Sequence, residues 1–198
     1  MPTQQETGHM NKAEVRAQMR RRRIEEAQRS PESGAAAAVA LLEQLRTLAV
    51  WREARRPCVY VATAGEAPTQ AILTHCFAAG IAVRIPRVAG EALTLHPVHG
   101  LENLVPGAFG LLEPPVDAPD CALQDVDCVL VPGVAFDNGG RRVGRGKGFY
   151  DRFLAQIPDV PRIGLAFEWQ VLSTVPADLH DERMDWLVTP ERVLVCQR

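Results

Sequence analysis

Short apolar runs alternate along the chain with longer segments whose apolar positions recur at helical spacing, a pattern that predicts a layered α/β fold. Val126 to Val131 (VDCVLV) is continuous, rich in β-branched residues and stopped by Pro132-Gly133, as expected of a strand buried on both faces of a parallel sheet. Cys58–Ala62, Ile81–Ile85 and Arg162–Phe167 read as further strands, Ala92–Val98 as an edge strand or hairpin, and Asp185–Thr189 with Arg192–Cys196 as closing strands. Helices are predicted from Lys12 to Gln28 behind Asn11 as N-cap, and from a Ser30-Pro31-Glu32 start to Ala54. Two more run from Thr69 to Ala79, closed by Gly80, and from Gly148 to Ile157. Leu101 to Ala122, rich in Pro and Gly, is a long loop across the ligand edge of the sheet. Residues 1–10 are polar and unpatterned, a disordered lead-in to a single domain over residues 11–198. The expected architecture is three-layer α/β/α with a mostly parallel, Rossmann-like central sheet.

Composition narrows the picture mainly by exclusion. With 22 Lys and Arg against 24 Asp and Glu in 198 residues, nothing calls for nucleic acid or a membrane as partner, and a monomer is expected. No apolar stretch reaches the roughly 18 residues that span a bilayer. The five cysteines lie mostly in apolar runs without a CxxC pair, so they read as buried free thiols in a reducing cytoplasm. His96 and His99 lack a third nearby ligand and read as surface histidines rather than a metal site.

Candidate chemistry concentrates after the Val126–Val131 strand. Asp137 to Gly148 holds five glycines and four cationic side chains, so exposed backbone N–H groups and positive charge suit a polyphosphate, with the next helix aiming its N-terminus at the same anion. The loop matches neither the Walker A pattern nor GxGxxG, and a solvated connection remains the plain alternative. On the first helix Lys12 and Arg16 stand four apart, with Arg20 and Arg23 continuing that side; this is either a solvated face or a ligand-facing one. Arg20 to Arg23 also admits a nucleic-acid reading, but no aromatic platform accompanies it. Glu66 falls in the turn after a strand's C-terminal end, where open sheets place ligands, or is simply a polar turn residue.

The run from Pro132 to Leu154, PGVAFDxxGxRxGRGKGFYDRFL, closely resembles the signature of the 5-formyltetrahydrofolate cyclo-ligase family, also called 5,10-methenyltetrahydrofolate synthetases. FEWQ, VP, HD and MDWLVT further on follow that family's order, so the resemblance extends from Lys12 to Thr189. It implies the same fold and an ATP-dependent conversion of 5-formyltetrahydrofolate to 5,10-methenyltetrahydrofolate, ADP and phosphate. The implied ATP site comprises Lys12, Arg16, Arg142, Gly144, Arg145, Gly146, Lys147, Gly148, Tyr150 and Asp151. Glu66 would bind the pterin, Phe109, Phe149 and Tyr150 would line the folate, and Asp151 with Asp181 would hold Mg2+. Tyr150 would sit at the reacting formyl group, with Arg145 and Lys147 on the transferred phosphoryl group. Three positions depart from or weaken the match. Phe149 stands where the family more often has Tyr, Phe109 is a smaller ring that equally suits packing of its loop, and Thr189 is followed by Pro190. A pseudoenzyme of this fold that binds folate or nucleotide without turnover is one alternative; an unrelated phosphate-ligand enzyme of similar sheet architecture that needs no ATP, such as a sugar-phosphate isomerase or CoA transferase, is another.

Overall fold

The computed structural model describes residues 10–29, 33–107 and 112–196. Of the expected lead-in, all but Met10 lies outside the described residues, as do Phe109 and the Ser30-Pro31-Glu32 helix start.

Helix α1 (Lys12–Arg29) begins where its cap predicts. Asn11 Oδ1 accepts from the N–H groups of Ala13 and Glu14 at 2.9 and 3.1 Å, while the Glu14 carboxylate accepts from Asn11 N at 2.8 Å, a reciprocal capping box. The predicted single long helix is instead two, α2 (Ser33–Leu45) and α3 (Ala49–Glu53). Leu45 and Trp51 are both buried in one cluster with Leu41. Six positions apart they would lie on different faces of a straight helix, so the break at Arg46–Leu48 lets both enter that core.

Strand β1 (Pro57–Cys58) is shorter than the predicted Cys58–Ala62. Beyond it a side chain replaces the ladder: buried Thr69 donates through Oγ1 to Tyr60 O at 2.8 Å and accepts from Ala62 N at 3.1 Å. Thr69 precedes helix α4 (Gln70–Ala78) but, committed to β1, gives it no side-chain cap. A two-residue turn at Gly90-Glu91 joins β2 (Val83–Ala89) to β3 (Ala92–Val98), so the predicted edge element is a hairpin. His96 is buried, not on the surface, with its ring nitrogens 2.9 Å from Thr94 Oγ1 and 3.1 Å from the carbonyls of Ala118 and Pro119. It pins the end of the long loop, which carries the small pair β4 (Val105–Pro106) and β5 (Leu112–Glu113).

Next come β6 (Cys128–Val131), β7 (Ala135–Asp137), β8 (Arg142–Val143) and α5 (Phe149–Leu154). Helix α5 stops short of Ile157: the chain tightens into i→i−3 bonds from Gln156 N and Ile157 N, and Pro158 disfavours helical backbone at the residue before it. The last strands are β9 (Arg162–Leu165), β10 (Val171–Leu172), β11 (Trp186–Val188) and β12 (Val193–Val195).

The main sheet has the order β12-β11-β9-β6-β1-β2-β3; its five inner strands are parallel and its edge strands β12 and β3 antiparallel. Alternate residues feed two cores. Val59, Cys128, Leu130, Ile163 and Leu165 face α2, α3 and α4, while Cys58, Val129, Val131 and Leu187 face Phe153 and Leu154 of α5. The result is the expected three-layer fold. All five cysteines are free, and Cys58 and Cys128 are fully buried on the adjacent strands β1 and β6.

A second sheet, β10-β7-β8, is not expected from the sequence, because β8 and the end of β7 occupy the stretch read as a glycine-rich loop. Its Ala135 and Val143 pack with Val175 against Val15 and Met19 of α1, and this apolar seam fastens the cationic helix over the sheet's ligand edge.

Candidate active site

Among the parallel strands the order β2-β1-β6-β9-β11 reverses direction between β1 and β6. Loops leaving the C-terminal ends of strands at such a point diverge and leave a crevice. Here the cleft has a volume of about 270 Å3, and Arg16, Arg20 and Arg23 from α1, Glu66 from the turn after β1, Arg145, and Trp169 after β9 line it. This is below the roughly 300–1,000 Å3 of most small-ligand pockets, and at Arg145 the cleft adjoins the exposed residues Gly146 and Lys147. Of the residues predicted from sequence, Arg16, Glu66 and Arg145 line the cleft itself.

The others surround it in ion pairs. Lys12 reaches Asp181 at 2.5 and 2.7 Å and Asp178 at 2.8 Å. Burial works against its charged form, but the hydrogen bonds to Asp178 and Asp181 outweigh that and lift its pKa above the usual lysine value. Lys12 in turn holds the exposed Asp178 below the ordinary aspartate range. Arg16 donates from Nε to Gly144 O at 2.8 Å, bracing the loop from α1. Gly146 and Gly148 have φ of +97° and +67°, conformations that admit the tight path of the loop.

Arg142 lies beneath the loop, in β8, and is only 5% exposed. Its Nη2 donates to Asp151 Oδ1 at 2.7 Å, and its guanidinium sits 5.8 Å from the centre of the Tyr150 ring. The Tyr150 hydroxyl is sealed from solvent and has no hydrogen-bond partner among the described residues; desolvation drives its pKa well above the usual value and keeps it protonated. Phe149 carries the Arg152 guanidinium 5.5 Å from its ring centre. Lys147 is exposed at the tip of the loop.

On the opposite wall Glu66 Oε2 accepts from Thr63 N at 2.9 Å and Thr63 Oγ1 at 3.0 Å, while Glu66 Oε1 pairs with Arg145 at 2.9 Å. Arg145 also donates to Thr63 Oγ1 at 2.5 Å. Three carboxylates expected to meet ligands, Glu66, Asp151 and Asp181, are thus each paired with a cation expected to meet phosphates.

No group of three or more metal-ligating side chains occurs among the described residues. Mg2+ commonly takes only one or two carboxylates and completes its shell with phosphate and water, so the single carboxylates are the groups to test. Asp151 fits, since Arg142 engages Oδ1 and the structure gives Oδ2 no partner among the described residues. Both oxygens of Asp181 are engaged, by Lys12 and by Asp178 N, so it is available only if Lys12 moves away.

Sequence reasoning missed Thr63, Asp178 and Trp169. Trp169 stacks on Phe167 with centroids 5.7 Å apart and borders the cleft; the FEWQ stretch was the available signal. Buried Gln170 from that stretch spans two loops, accepting from Phe167 N at 2.8 Å and donating to Gly133 O at 3.0 Å and Val134 O at 3.2 Å. Thr63 and Asp178 carried no signal beyond their proximity to Glu66 and Asp181.

Comparison with known proteins gives a consistent result. Residues 9–190 match the model of the 5-formyltetrahydrofolate cyclo-ligase family. A 5-formyltetrahydrofolate cyclo-ligase of Mycolicibacterium smegmatis is 33% identical, over 73% of this chain and 78% of that protein. The one from Escherichia coli K12 is also 33% identical, over 68% of this chain and 78% of that protein. The solution structure of Aquifex aeolicus 5,10-methenyltetrahydrofolate synthetase superposes with a TM-score of 0.82 at 31% identity, covering 96% of this chain and 94% of the other. No described helix is long and apolar enough to cross a membrane.

Proposed function

The chain belongs to the 5-formyltetrahydrofolate cyclo-ligase family, and from that premise we infer that it closes 5-formyltetrahydrofolate to 5,10-methenyltetrahydrofolate with ATP, releasing ADP and phosphate. The observation that carries the reading is the Gly144–Gly148 loop, which stands above the half-buried Arg142–Asp151 pair and reaches Glu66 through Arg145 at the sheet's switch point.

A formamide oxygen is a poor leaving group. In the proposed path it attacks the γ-phosphorus of ATP and ADP departs. N10 then attacks the activated carbon; as the new C–N bond forms, phosphate leaves with the C–O electron pair and N10 loses its proton. The protein therefore needs no covalent nucleophile; it must orient two substrates and neutralise the charge of the transferred group. Arg16, Arg145 and Lys147, with Lys12 and Arg142 behind them, are the cations for that task, and the Gly144, Gly146 and Gly148 backbone lies close against the phosphates. Glu66 accepts the pterin's N–H groups. Phe109 and Phe149 would flank the folate, an assignment that rests on resemblance alone. Tyr150 donates to the formyl oxygen, a role supported by a buried hydroxyl that is protonated and unpartnered. Asp151 and Asp181 are the carboxylates proposed for Mg2+, which when bound spreads the negative charge of the phosphates. We read the cytoplasm as the compartment, supported by five unpaired thiols, and a monomer as the acting unit.

The test mixes purified protein with 5-formyltetrahydrofolate, MgCl2 and ATP and follows the near-ultraviolet absorbance of the conjugated methenyl product. A rise that requires ATP is expected. Binding of both substrates without a rise would make the protein a pseudoenzyme, and a rise without ATP would overturn the phosphoryl-transfer path.

A further inference from the structure

Glu66 is the carboxylate assigned to the pterin, yet neither of its oxygens is free. Thr63 holds Oε2 through its N–H and its hydroxyl, and the Arg145 guanidinium covers Oε1 at 2.9 Å. With Thr63 holding Oε2, a pterin N–H must approach Oε1, where it competes with the guanidinium already seated there. The cap itself is lightly held. Arg145 is the more exposed partner, with 57% of its side chain accessible against 15% for Glu66, and it stands between Gly144 and Gly146 in the loop that faces the phosphates. Among the described residues it donates to Thr63 and forms an ion pair with Glu66.

The contacts form one chain: Arg145 Nη2 donates to Thr63 Oγ1, and Thr63 Oγ1 donates to Glu66 Oε2. Thr63 touches both the nucleotide-side cation and the folate-side carboxylate, which otherwise belong to different walls of the cleft.

We propose that Thr63 is a positioning residue that holds Arg145 across Glu66 until nucleotide arrives, so that ATP and 5-formyltetrahydrofolate bind with positive coupling. The inference rests on the assignment of the pterin to Glu66. A triphosphate carries several negative charges against one on Glu66, so it draws the guanidinium away. Glu66 stays anchored by Thr63, and its Oε1 turns free toward the cleft. An exposed guanidinium–carboxylate contact supports a coupling of roughly fivefold, and by linkage folate strengthens nucleotide binding by the same factor.

The experiment titrates 5-formyltetrahydrofolate into the full chain with Mg2+, with and without a non-hydrolysable ATP analogue. The analogue should tighten folate binding roughly fivefold. Arg145→Gln should bind folate without nucleotide more tightly than the unaltered protein does, although it removes a cation from a site for an anionic ligand, and the analogue should add nothing. In Thr63→Val the coupling should fall towards one and the folate KM rise by a larger factor than kcat falls; Thr63→Ser, which keeps the hydroxyl, should restore both. The exchange is overturned by an analogue without effect on the unaltered protein, by weaker folate binding in Arg145→Gln, or by Thr63→Ser behaving as Thr63→Val. A separate arm tests the premise: full folate affinity in Glu66→Gln would remove the pterin from Glu66 and the exchange with it.

Discussion

Two buried arginines, Arg142 and Arg162, look alike in composition and differ in what surrounds them. They are 5% and 2% exposed, each pairs with a partly exposed carboxylate, and each has an Nε without a partner. Arg142 spends its donors on Asp151 at 2.7 Å and a long 3.4 Å contact to Pro132 O, leaving its flat face over the Tyr150 ring. Arg162 is clasped more fully, by Glu182 at 2.6 Å, by Leu154 O at 3.0 Å and by Arg183 O at 3.5 Å. The first lies beneath a cationic loop at the C-terminal ends of the strands; the second opens β9 and ties the end of α5 to the segment leading into β11. On the proposed function, the same residue type in the same kind of pair serves as a ligand-side group in one place and a fastener in the other, according to its position relative to the C-terminal ends of the strands.

Matched substitutions should separate them. Asp151→Asn and Arg142→Met should lower kcat/KM by about 10²- to 10³-fold, the scale lost when a group stabilising transition-state charge is removed, in protein that remains folded by circular dichroism. Arg162→Met should do the reverse: unfolding in urea should reveal a loss of about 3 kcal/mol, as for other broken buried pairs, with kcat of the folded fraction within a few-fold of normal. If both arginine variants lost activity equally, the division would fail. Gly140→Ala probes the link between the two regions, because Gly140 O accepts from Met184 N at 2.8 Å and a Cβ there would lie 2.4 Å from Met184 O. With φ at +76° as well, the substitution should cost about 2 kcal/mol, read from the shift in the urea midpoint.

The smallest effect should be that of pH on α1. Asp178 has a folded pKa below its ordinary value, so its contribution is present above the aspartate range and is lost as the pH falls through it. Lys12, raised, contributes below the lysine range and loses that contribution only as the pH climbs through its folded value. The clip holding the start of α1 should therefore persist through neutrality and loosen in acid, seen as faster amide exchange in the first turns of α1 while β6 stays protected.

The residues that could be read from sequence alone were those with a local reason for their structure. VDCVLV declared a buried strand, Asn11 declared a helix start, and the Gly-Arg-Gly-Lys-Gly run declared a loop. What escaped depended on distant partners. Strands β7, β8 and β10 are two or three residues long, and β10 joins β7 from 34 or more positions away, so no periodicity can reveal the sheet they make. Arg142 was assigned to the loop for the same reason. His96 looked like a surface residue because the carbonyls that bury it come from over twenty positions downstream. In the site, cations and carboxylates could be named individually, but their pairing with one another could not.

The free thiols have a practical consequence. Burial pushes Cys76 and Cys196 up to about 11, raises Cys58 and Cys128 further, and also raises the half-buried Cys121, so little thiolate exists at neutral pH. Maleimides and iodoacetamides consume thiolate, and the native chain should react with them slowly. A single cysteine placed at the fully exposed Leu179, beside Asp178 and Asp181, would then take a fluorophore selectively with no need to strip the native sulfur from the core.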